Sequence, residues 1–354
     1  MLKRILSAFF ACSTAVGVLP ACGSPAPQTQ AQGAAVSSLA ADGKVQIVTT
    51  IFPLYDWTRQ ILGEEVKQNA DLQFLLGDGV DFHNYQATAK DILTVSQADL
   101  LVYVGGTSDA WIEQACEQNP NPNRVEINLM ELLAGRLKTE ELVEGMEHSH
   151  EDEDEHEHTS EEEAALHDEH DGDAVYDEHV WLSVKNAEIV CDALQKALSD
   201  LMPQHSQQIE ENAAAYQAEL SALDKQFRQA ADSASTKTLM FADRFPFRYL
   251  TDDYGLSYYA AFTGCSTDTQ ASFETISFLS EKVSELSLQT ILTIDDSNGK
   301  IAQTVAQNSR GTAPEILSMN SMQSITRAQA EEGVTYVSVM QDNLTVLRTA
   351  LACA

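Results

Sequence analysis

The run QHSQQIEENAAAYQAELSALDKQFRQAA, residues 204–231, decides the fold that we expect for this chain. It is polar and rich in alanine, its apolar residues recur at helical intervals, and it contains neither glycine nor proline. These features predict one long helix, because no residue in the run interrupts the hydrogen bonding between successive turns. The helix is longer than the core of a single lobe needs, so we expect it to join two lobes.

Short β-rich runs alternate with amphipathic helical stretches on both sides of this helix. Such alternation is typical of an α/β fold with mainly parallel sheets, so we predict two (β/α) lobes. Ligands of such folds bind near the carboxyl ends of strands. The predicted strands cover residues 45–50, 72–76, 100–104, 125–127, 238–241, 257–262, 290–294 and 315–319, and the predicted helices cover 55–62, 87–97, 185–201, 273–286, 300–307 and 339–351.

Residues 147–173 are rich in histidine and acidic side chains and contain no lysine or arginine. Imidazole and carboxylate groups are ligands that a divalent cation such as Zn²⁺ accepts. The segment is too polar to bury enough apolar surface to repay its ordering entropy, so we predict a mobile, metal-binding loop. The alternative is a solvated acidic linker with incidental histidines. Six of the nine histidines of the chain lie here, namely His148, His150, His156, His158, His167 and His170.

The N-terminus indicates where the protein works. Lys3 and Arg4 precede an apolar run at residues 5–19, which is too short to span a bilayer comfortably and predicts a signal peptide. The sequence Leu-Pro-Ala-Cys that ends at Cys22 resembles the bacterial lipobox, which implies that Cys22 is lipidated. The alternative is an ordinary signal peptide followed by a chance cysteine. Residues 23–43 are rich in Ser, Pro, Gln, Ala and Gly and predict a flexible tether, so we expect a lipid-anchored, extracytoplasmic protein on the bacterial cell membrane.

The formal net charge of −33 is unevenly distributed. Residues 139–178 contain 19 acidic and no basic side chains, so the rest of the chain is only moderately acidic. No basic patch is available to neutralise phosphates, which argues against nucleic-acid binding. Four cysteines follow Cys22, and in an oxidising compartment they could form disulfides, although their spacing does not reveal a pairing. They are Cys116, Cys191, Cys265 and Cys353.

Two histidines outside the acidic loop lie in contexts typical of a binding site. His83 follows the second predicted strand in Gly-Asp-Gly-Val-Asp-Phe-His-Asn-Tyr, residues 77–85, and His179 follows the acidic loop in Asp-Glu-His-Val-Trp-Leu, residues 177–182. On position alone, either could be a structural hydrogen-bonding group. Residues 80–88 resemble the first ligand segment of the cluster A-I solute-binding proteins, the zinc and manganese receptors of bacterial ABC importers. That segment usually reads Asp-Pro-His, an aromatic residue, then Glu-Pro-Thr.

The segment Glu178–Leu182 is similar to the second ligand segment of that family, Asp-Pro-His, any residue, Trp. Zinc-type members carry a loop rich in histidine and acidic residues just before it, as this chain does. The resemblance covers roughly residues 45–352. It implies two (β/α) lobes, a rigid helix between them, and a metal cleft between the lobes in which His83 and His179 are ligands.

The ligands that the second lobe supplies in the family are missing from this chain. The matching positions fall on Ala242, which cannot coordinate a metal, and on Asn320, which offers at most a weak neutral oxygen. The candidates to replace them are the Asp243 carboxylate, the Cys265 thiolate or a histidine of the acidic loop. Asp243 could instead cap a helix or pair with Arg244, and Cys265 could be buried or disulfide-bonded.

The resemblance implies a monomeric extracytoplasmic receptor that captures Zn²⁺ and delivers it to the permease of an ABC importer. One alternative is a manganese receptor of the same family, which the histidine-rich loop disfavours because Mn²⁺ prefers oxygen ligands. Another is a metal-buffering or adhesin lipoprotein that is not coupled to transport. We do not expect an enzyme, since the His-Glu-x-x-His motif, a serine nucleophile elbow and a glycine-rich phosphate loop are absent.

These observations predict the organisation of the whole chain. A lipoprotein signal peptide occupies residues 1–21 and a flexible tether residues 22–44. The two lobes and the helical segment between them follow. The N-terminal α/β lobe covers 45–185 with the acidic loop at 139–178, the helical segment with the long helix covers 186–232, and the C-terminal α/β lobe covers 233–354.

Overall fold

Two separate four-stranded sheets organise the fold, and the strand pairings within each are parallel. The computed structural model describes residues 43–146, 175–266 and 270–353. The strands of the first sheet are β1 (Val45–Thr49), β2 (Ala70–Phe74), β3 (Leu100–Tyr103) and β4 (Val125–Asn128), in the order β2-β1-β3-β4. Those of the second are β5 (Thr238–Phe245), β6 (Ser257–Thr263), β7 (Thr290–Ile294) and β8 (Glu315–Met319), in the order β6-β5-β7-β8. The prediction of an α/β fold with mainly parallel sheets is confirmed.

Helices alternate with these strands along the chain. They are α1 (Phe52–Val66), α2 (Ala89–Ser96), α3 (Ala110–Gln118), α4 (Leu129–Leu132), α5 (Val184–Leu201), α6 (Ser206–Asp232), α7 (Arg248–Tyr254), α8 (Phe273–Glu285), α9 (Lys300–Asn308), α10 (Arg327–Glu331) and α11 (Tyr336–Ala350). Short 3₁₀ turns cover Lys67–Asn69, Phe82–Asn84, Ala134–Arg136, Val180–Leu182 and Pro203–His205. Two of these turns, Phe82–Asn84 and Val180–Leu182, adjoin the histidines of the candidate site.

Helix α6 is the long helix that the sequence predicts, and it extends over 27 residues. Its side chains Ile209, Tyr216, Leu220 and Phe227 are buried, and the helix packs against α1, α5 and α11. The burial of this spaced apolar set stabilises the helix more than its intrinsic propensity does. The prediction that one long helix joins the two lobes is confirmed.

Several elements begin or end away from their predicted bounds, for local reasons. Helix α1 begins at Phe52 instead of residue 55, because Pro53 lies in its first turn, where a missing N–H costs nothing. Helix α11 begins at Tyr336 instead of residue 339, after a capping box formed by Thr335 and Ser338. Strand β5 continues to Phe245, four residues beyond its predicted end, through a register irregularity.

Some sequence predictions fall on parts of the chain that the structure does not describe. The signal peptide, the lipidation site Cys22, nearly all of the tether and the acidic loop at 147–173 lie outside the described residues. Within the described ranges, we find no helix with the length and apolarity needed to cross a membrane. The four described cysteines form no disulfide. The domain boundaries stay predictions.

Candidate metal centre

His83 lies in the 3₁₀ turn Phe82–Asn84, on the segment between β2 and α2. The side chain of Asp81 caps this turn and fixes the His83 backbone. Asp81 Oδ1 accepts a hydrogen bond from the His83 N–H at 2.9 Å. The adjacent Phe82 is buried and packs edge-on against Trp181, with ring centroids 5.7 Å apart. The turn is therefore anchored at Asp81, Phe82 and the His83 backbone, which limits the directions in which the imidazole can point.

His179 is fully buried and directly precedes the 3₁₀ turn Val180–Leu182. The carboxylate of Asp177 fixes its position. Asp177 Oδ1 accepts hydrogen bonds from the His179 backbone N–H at 2.8 Å and from the ring Nδ1–H at 2.9 Å. A carboxylate on Nδ1 selects the tautomer in which Nε2 carries a free lone pair, the arrangement found behind many metal-bound histidines. His179 therefore presents Nε2 as a ligand atom.

The two imidazoles point at each other through their Nε2 atoms, which lie 3.0 Å apart. Two Zn–N bonds of about 2.0–2.1 Å at a tetrahedral angle would place their nitrogens roughly 3.3 Å apart. Burial, together with the positive charges that His179 and Arg244 can carry, lowers the pKa of His83 to about 2. His83 is therefore neutral near pH 7, which is the form that binds a metal.

Cys265 joins the two histidines from the other lobe. It follows β6, and the ligand atoms of His83, His179 and Cys265 all lie within 4.8 Å of one another. No other group of three potential metal ligands of the types His, Cys, Asp or Glu occurs in the described part of the chain. Two imidazole nitrogens and one thiolate sulfur form a donor set that suits Zn²⁺. The structure thus brings together three of the residues that the sequence singles out.

The Cys265 thiol is protonated in the metal-free protein near neutral pH. Burial raises the pKa of Cys265, and the carboxylates of Glu140, Asp177 and Glu178 raise it further. Since only the thiolate coordinates a metal, binding must release the thiol proton. Cys265 is half-buried and forms no disulfide with another described cysteine.

Gly264 permits the close approach of the β6 turn to His179. A Cβ at this position would lie 2.9 Å from His179 Cε1 and 2.9 Å from the Phe245 carbonyl oxygen. No side chain fits in that space without displacing the imidazole or the backbone. The glycine beside Cys265 is therefore part of the site, and the pair Gly-Cys directly after a strand is the sequence signal for it.

The loop after β3 is shaped around Glu178. Glu178 Oε1 accepts hydrogen bonds from the backbone N–H groups of Thr107 and Ser108, and a Cβ on Gly106 would lie 2.4 Å from that oxygen. The Ser108 hydroxyl lies 2.9 Å from His83 Nδ1, and Glu178 Oε2 lies 3.8 Å from the same nitrogen. These groups orient His83 from behind its ring. Sequence reasoning missed Ser108, for which the preceding Gly-Gly pair after a strand was the available signal.

The other predicted ligands have different partners. Asp243 is not a member of the three-residue group, and its Oδ1 accepts a hydrogen bond from the Arg244 N–H at 2.9 Å. The Arg244 guanidinium pairs with Asp81, at 3.0 Å, and so connects the second lobe to the His83 turn. Asn320 Oδ1 accepts a hydrogen bond from the Met322 N–H at 2.7 Å, within its own turn.

Ala242 is buried in β5, as its apolar side chain favours. It offers no donor atom, so the position that matches a family ligand is filled here by a core residue. The loop histidines that could complete the sphere lie outside the described residues. Their role stays a prediction.

Several known proteins resemble this chain over most of its length. A sequence model of the family described as "Zinc-uptake complex component A periplasmic" matches residues 47–350. The zinc-binding lipoprotein AdcA of Streptococcus pneumoniae is 30% identical over 308 residues, which are 87% of this chain but 56% of that protein. The chain thus spans little more than half the length of that relative. The high-affinity zinc uptake system protein ZnuA of Bacillus subtilis is 29% identical over 308 residues, 87% of this chain and 88% of that protein.

A solved structure shares the fold. The Zn(II)-bound ZnuA-like domain of Streptococcus pneumoniae AdcA has a TM-score of 0.65 to this chain at 25% sequence identity. The match covers 87% of this chain and 99% of that domain. The likeness therefore extends over both lobes and the long helix.

Proposed function

The chain belongs to the family of periplasmic zinc-uptake complex A components, and on that premise we propose that it captures Zn²⁺ outside the cytoplasm and delivers it to an ABC importer. The observation that carries the proposal is the convergence of His83, His179 and Cys265, whose ligand atoms lie within 4.8 Å of one another. Because these imidazoles are buried and already oriented, metal binding does not require the free energy needed to order them.

The donor set supports zinc over manganese as the cargo. Two nitrogens and a sulfur are softer ligands than the carboxylate and carbonyl oxygens that suit Mn²⁺. The relatives that are named for zinc agree with this choice. A manganese receptor is the alternative that a direct titration can eliminate.

The position of the ligands supports reversible capture. His83 and His179 belong to the lobe of the first sheet, whereas Cys265 follows β6 of the second. If the lobes separated, the Cys265 sulfur would move away from the two histidine nitrogens, and the affinity of the site for the metal would fall. The permease of an importer would thus release the metal by opening the cleft.

The lipobox-like sequence supports attachment of the protein to the membrane through Cys22. A relative that is named a lipoprotein points the same way. We propose a monomeric, lipid-anchored receptor whose tether lets it reach the permease. We also propose that it catalyses no reaction, and robust hydrolysis of ester or peptide substrates by the zinc-loaded protein would refute that.

Competitive titration with Zn²⁺ and Mn²⁺ tests the choice of metal. Trp181 lies beside His179, with ring centroids 5.1 Å apart, so its fluorescence should respond to binding in the cleft. We expect Zn²⁺ to displace Mn²⁺ at one tight site. The variant with both His83→Ala and His179→Ala should lose that site, and an unchanged tightest affinity would place zinc elsewhere.

Growth under zinc limitation tests the coupling to transport. A strain that lacks the gene should grow poorly in zinc-depleted medium and recover when zinc is added. The double-alanine variant should fail to complement the deletion. Normal growth of the deletion strain would instead favour a metal-buffering protein or an adhesin.

A further inference from the structure

The three-residue group leaves one position of a tetrahedral zinc site to be filled. Closed zinc sites usually have four ligands, and three protein ligands leave the fourth position to water or another group. Two neutral imidazoles and one thiolate also leave the bound ion with one positive charge. A carboxylate in the fourth position would complete the geometry and neutralise this buried charge.

Three other carboxylates near the group either face the Nδ1 side of the histidine rings or are paired with another residue. Asp177 is hydrogen-bonded to His179 Nδ1, and Glu178 faces His83 Nδ1, so both lie behind the rings and away from the Nε2 atoms. Asp81 is paired with Arg244 and caps the His83 backbone. Asp177 and Asp81 are therefore engaged, and Glu178 Oε2, which has no hydrogen-bond partner, faces Nδ1 of His83 and not Nε2.

Glu140 is the carboxylate that lies beside the third ligand. Its Oε1 accepts a hydrogen bond from the Cys265 backbone N–H at 3.2 Å. The Glu140 carboxylate lies outside the three-residue group, as Asp243 does, so its side chain has to turn toward the ion when zinc binds. Glu140 is half-buried and lines a small cavity together with Asp177 and Gly264.

The backbone around Glu140 is tied to the segment that carries His179. The Glu140 N–H donates to the Val175 carbonyl at 2.9 Å, and the Asp177 N–H donates to the Lys138 carbonyl at 2.8 Å. Thr139 and Tyr176 form an antiparallel bridge between these two hydrogen bonds. We call this paired segment, residues 138–140 with 175–177, the stem. It holds Glu140 and the partner of His179 in one short piece of sheet.

We propose that Glu140 is the fourth ligand, so that Zn²⁺ is held by His83 Nε2, His179 Nε2, Cys265 Sγ and a Glu140 carboxylate oxygen. The inference rests on the proposed zinc-binding function of the cleft. On binding, the Cys265 S–H bond breaks, its proton leaves to solvent, and a Zn–S bond forms. Cys265 and Glu140 would thus supply the two ligands that are missing at Ala242 and Asn320.

The test uses the full mature chain with Glu140→Gln, and with Glu144→Gln as the matched control. Glu144 is exposed and lies four residues away in the same segment. Glutamine keeps an oxygen that can accept from the Cys265 N–H, so the substitution removes the charge and leaves that hydrogen bond possible. Zinc affinity is measured by competition with a chromogenic chelator, and Co²⁺ replaces Zn²⁺ for absorption spectra. Melting of the metal-free variants checks that they fold like the parent.

We expect Glu140→Gln to weaken zinc binding at least about tenfold and to change the d–d absorption of the cobalt protein. The thiolate-to-cobalt charge-transfer band should remain in Glu140→Gln and disappear in Cys265→Ser. Glu144→Gln should match the parent in both measurements.

Two results would overturn the assignment of Glu140. One is parental zinc affinity in Glu140→Gln, and the other is a weaker affinity with an unchanged d–d spectrum, which would mean that Glu140 only positions Cys265. Failure of the zinc-binding function itself has a different signature. In that case the double-alanine variant of His83 and His179 would keep the tightest site, whatever Glu140 does.

Discussion

At the scale of single residues, His83 shows how the site is prepared for a metal at the expense of acid stability. Its pKa falls from 6.5 to about 2, mainly because burial disfavours the charged imidazole. The unfolded chain takes up a proton at this residue below pH 6.5, whereas the folded metal-free protein does not. The contribution of His83 to stability is therefore present above pH 6.5 and is lost as the pH falls from there toward 2.

We predict that His83→Gln removes this part of the acid sensitivity of the metal-free protein. When the pH falls from 7.5 to 5, the free energy of unfolding of the parent should decrease by about 2 kcal/mol more than that of the variant. This figure follows because each pH unit below 6.5 costs about 1.4 kcal/mol. Urea unfolding in the presence of a chelator measures both values. His205→Gln is the control and should behave like the parent. An equal loss in parent and His83→Gln would show that His83 is protonated in the folded state.

At the scale of elements, the turn after β6 brings Cys265 to the histidines only because residue 264 is glycine. We predict that Gly264→Ala weakens zinc binding at least about tenfold by displacing the His179 imidazole, and destabilises the fold by about 1–3 kcal/mol. Chelator competition and urea unfolding give the two numbers. Gly135→Ala is the control, because a Cβ there meets no atom within 4 Å. Unchanged zinc affinity in Gly264→Ala would mean that the turn does not constrain His179.

The elements also show what can be predicted from local sequence. The strands β7 and β8 have the predicted bounds, and α6 differs by one or two residues, because periodicity and composition act within each segment. His83, His179 and Cys265 could be proposed because each follows or precedes a recognisable element. Glu140 could not, since its hydrogen bond to Cys265 joins residues 125 positions apart. Contacts of that kind depend on how the two lobes pack.

At the scale of the whole molecule, several polar contacts hold the two lobes together around the site. Trp181 Nε1–H donates to the Ser321 carbonyl at 2.9 Å, and the Tyr336 hydroxyl donates to the Trp181 carbonyl at 2.9 Å. The Tyr249 hydroxyl donates to the Asp177 carbonyl at 2.7 Å. The backbone next to His179 is therefore bonded to the second lobe on both sides. A movement that opens the cleft must break some of these bonds, and it would disturb His179 directly.

The two halves of the stem, residues 138–140 and 175–177, flank the acidic segment 147–173 in the sequence and lie next to the metal ligands. The hydrogen bonds of the stem join residues 138–140 to 175–177 and do not involve the loop itself. If His83, His179, Cys265 and Glu140 complete the sphere, the loop is not needed to hold the ion. Its histidines and carboxylates would instead bind further ions weakly and raise the local concentration of metal at the cleft.

We therefore predict that replacing residues 147–173 with a short Gly/Ser linker leaves the affinity of the tightest site unchanged and lowers the number of zinc ions bound per chain to one. Equilibrium dialysis gives the number of ions, and chelator competition gives the affinity. A variant that keeps the loop but has its six histidines changed to glutamine is the control for loop length, and it should give the same two results. A loss of tenfold or more in the affinity of the tightest site, in both variants, would instead mean that a loop histidine coordinates the metal in the cleft, in the place that we assign to Glu140.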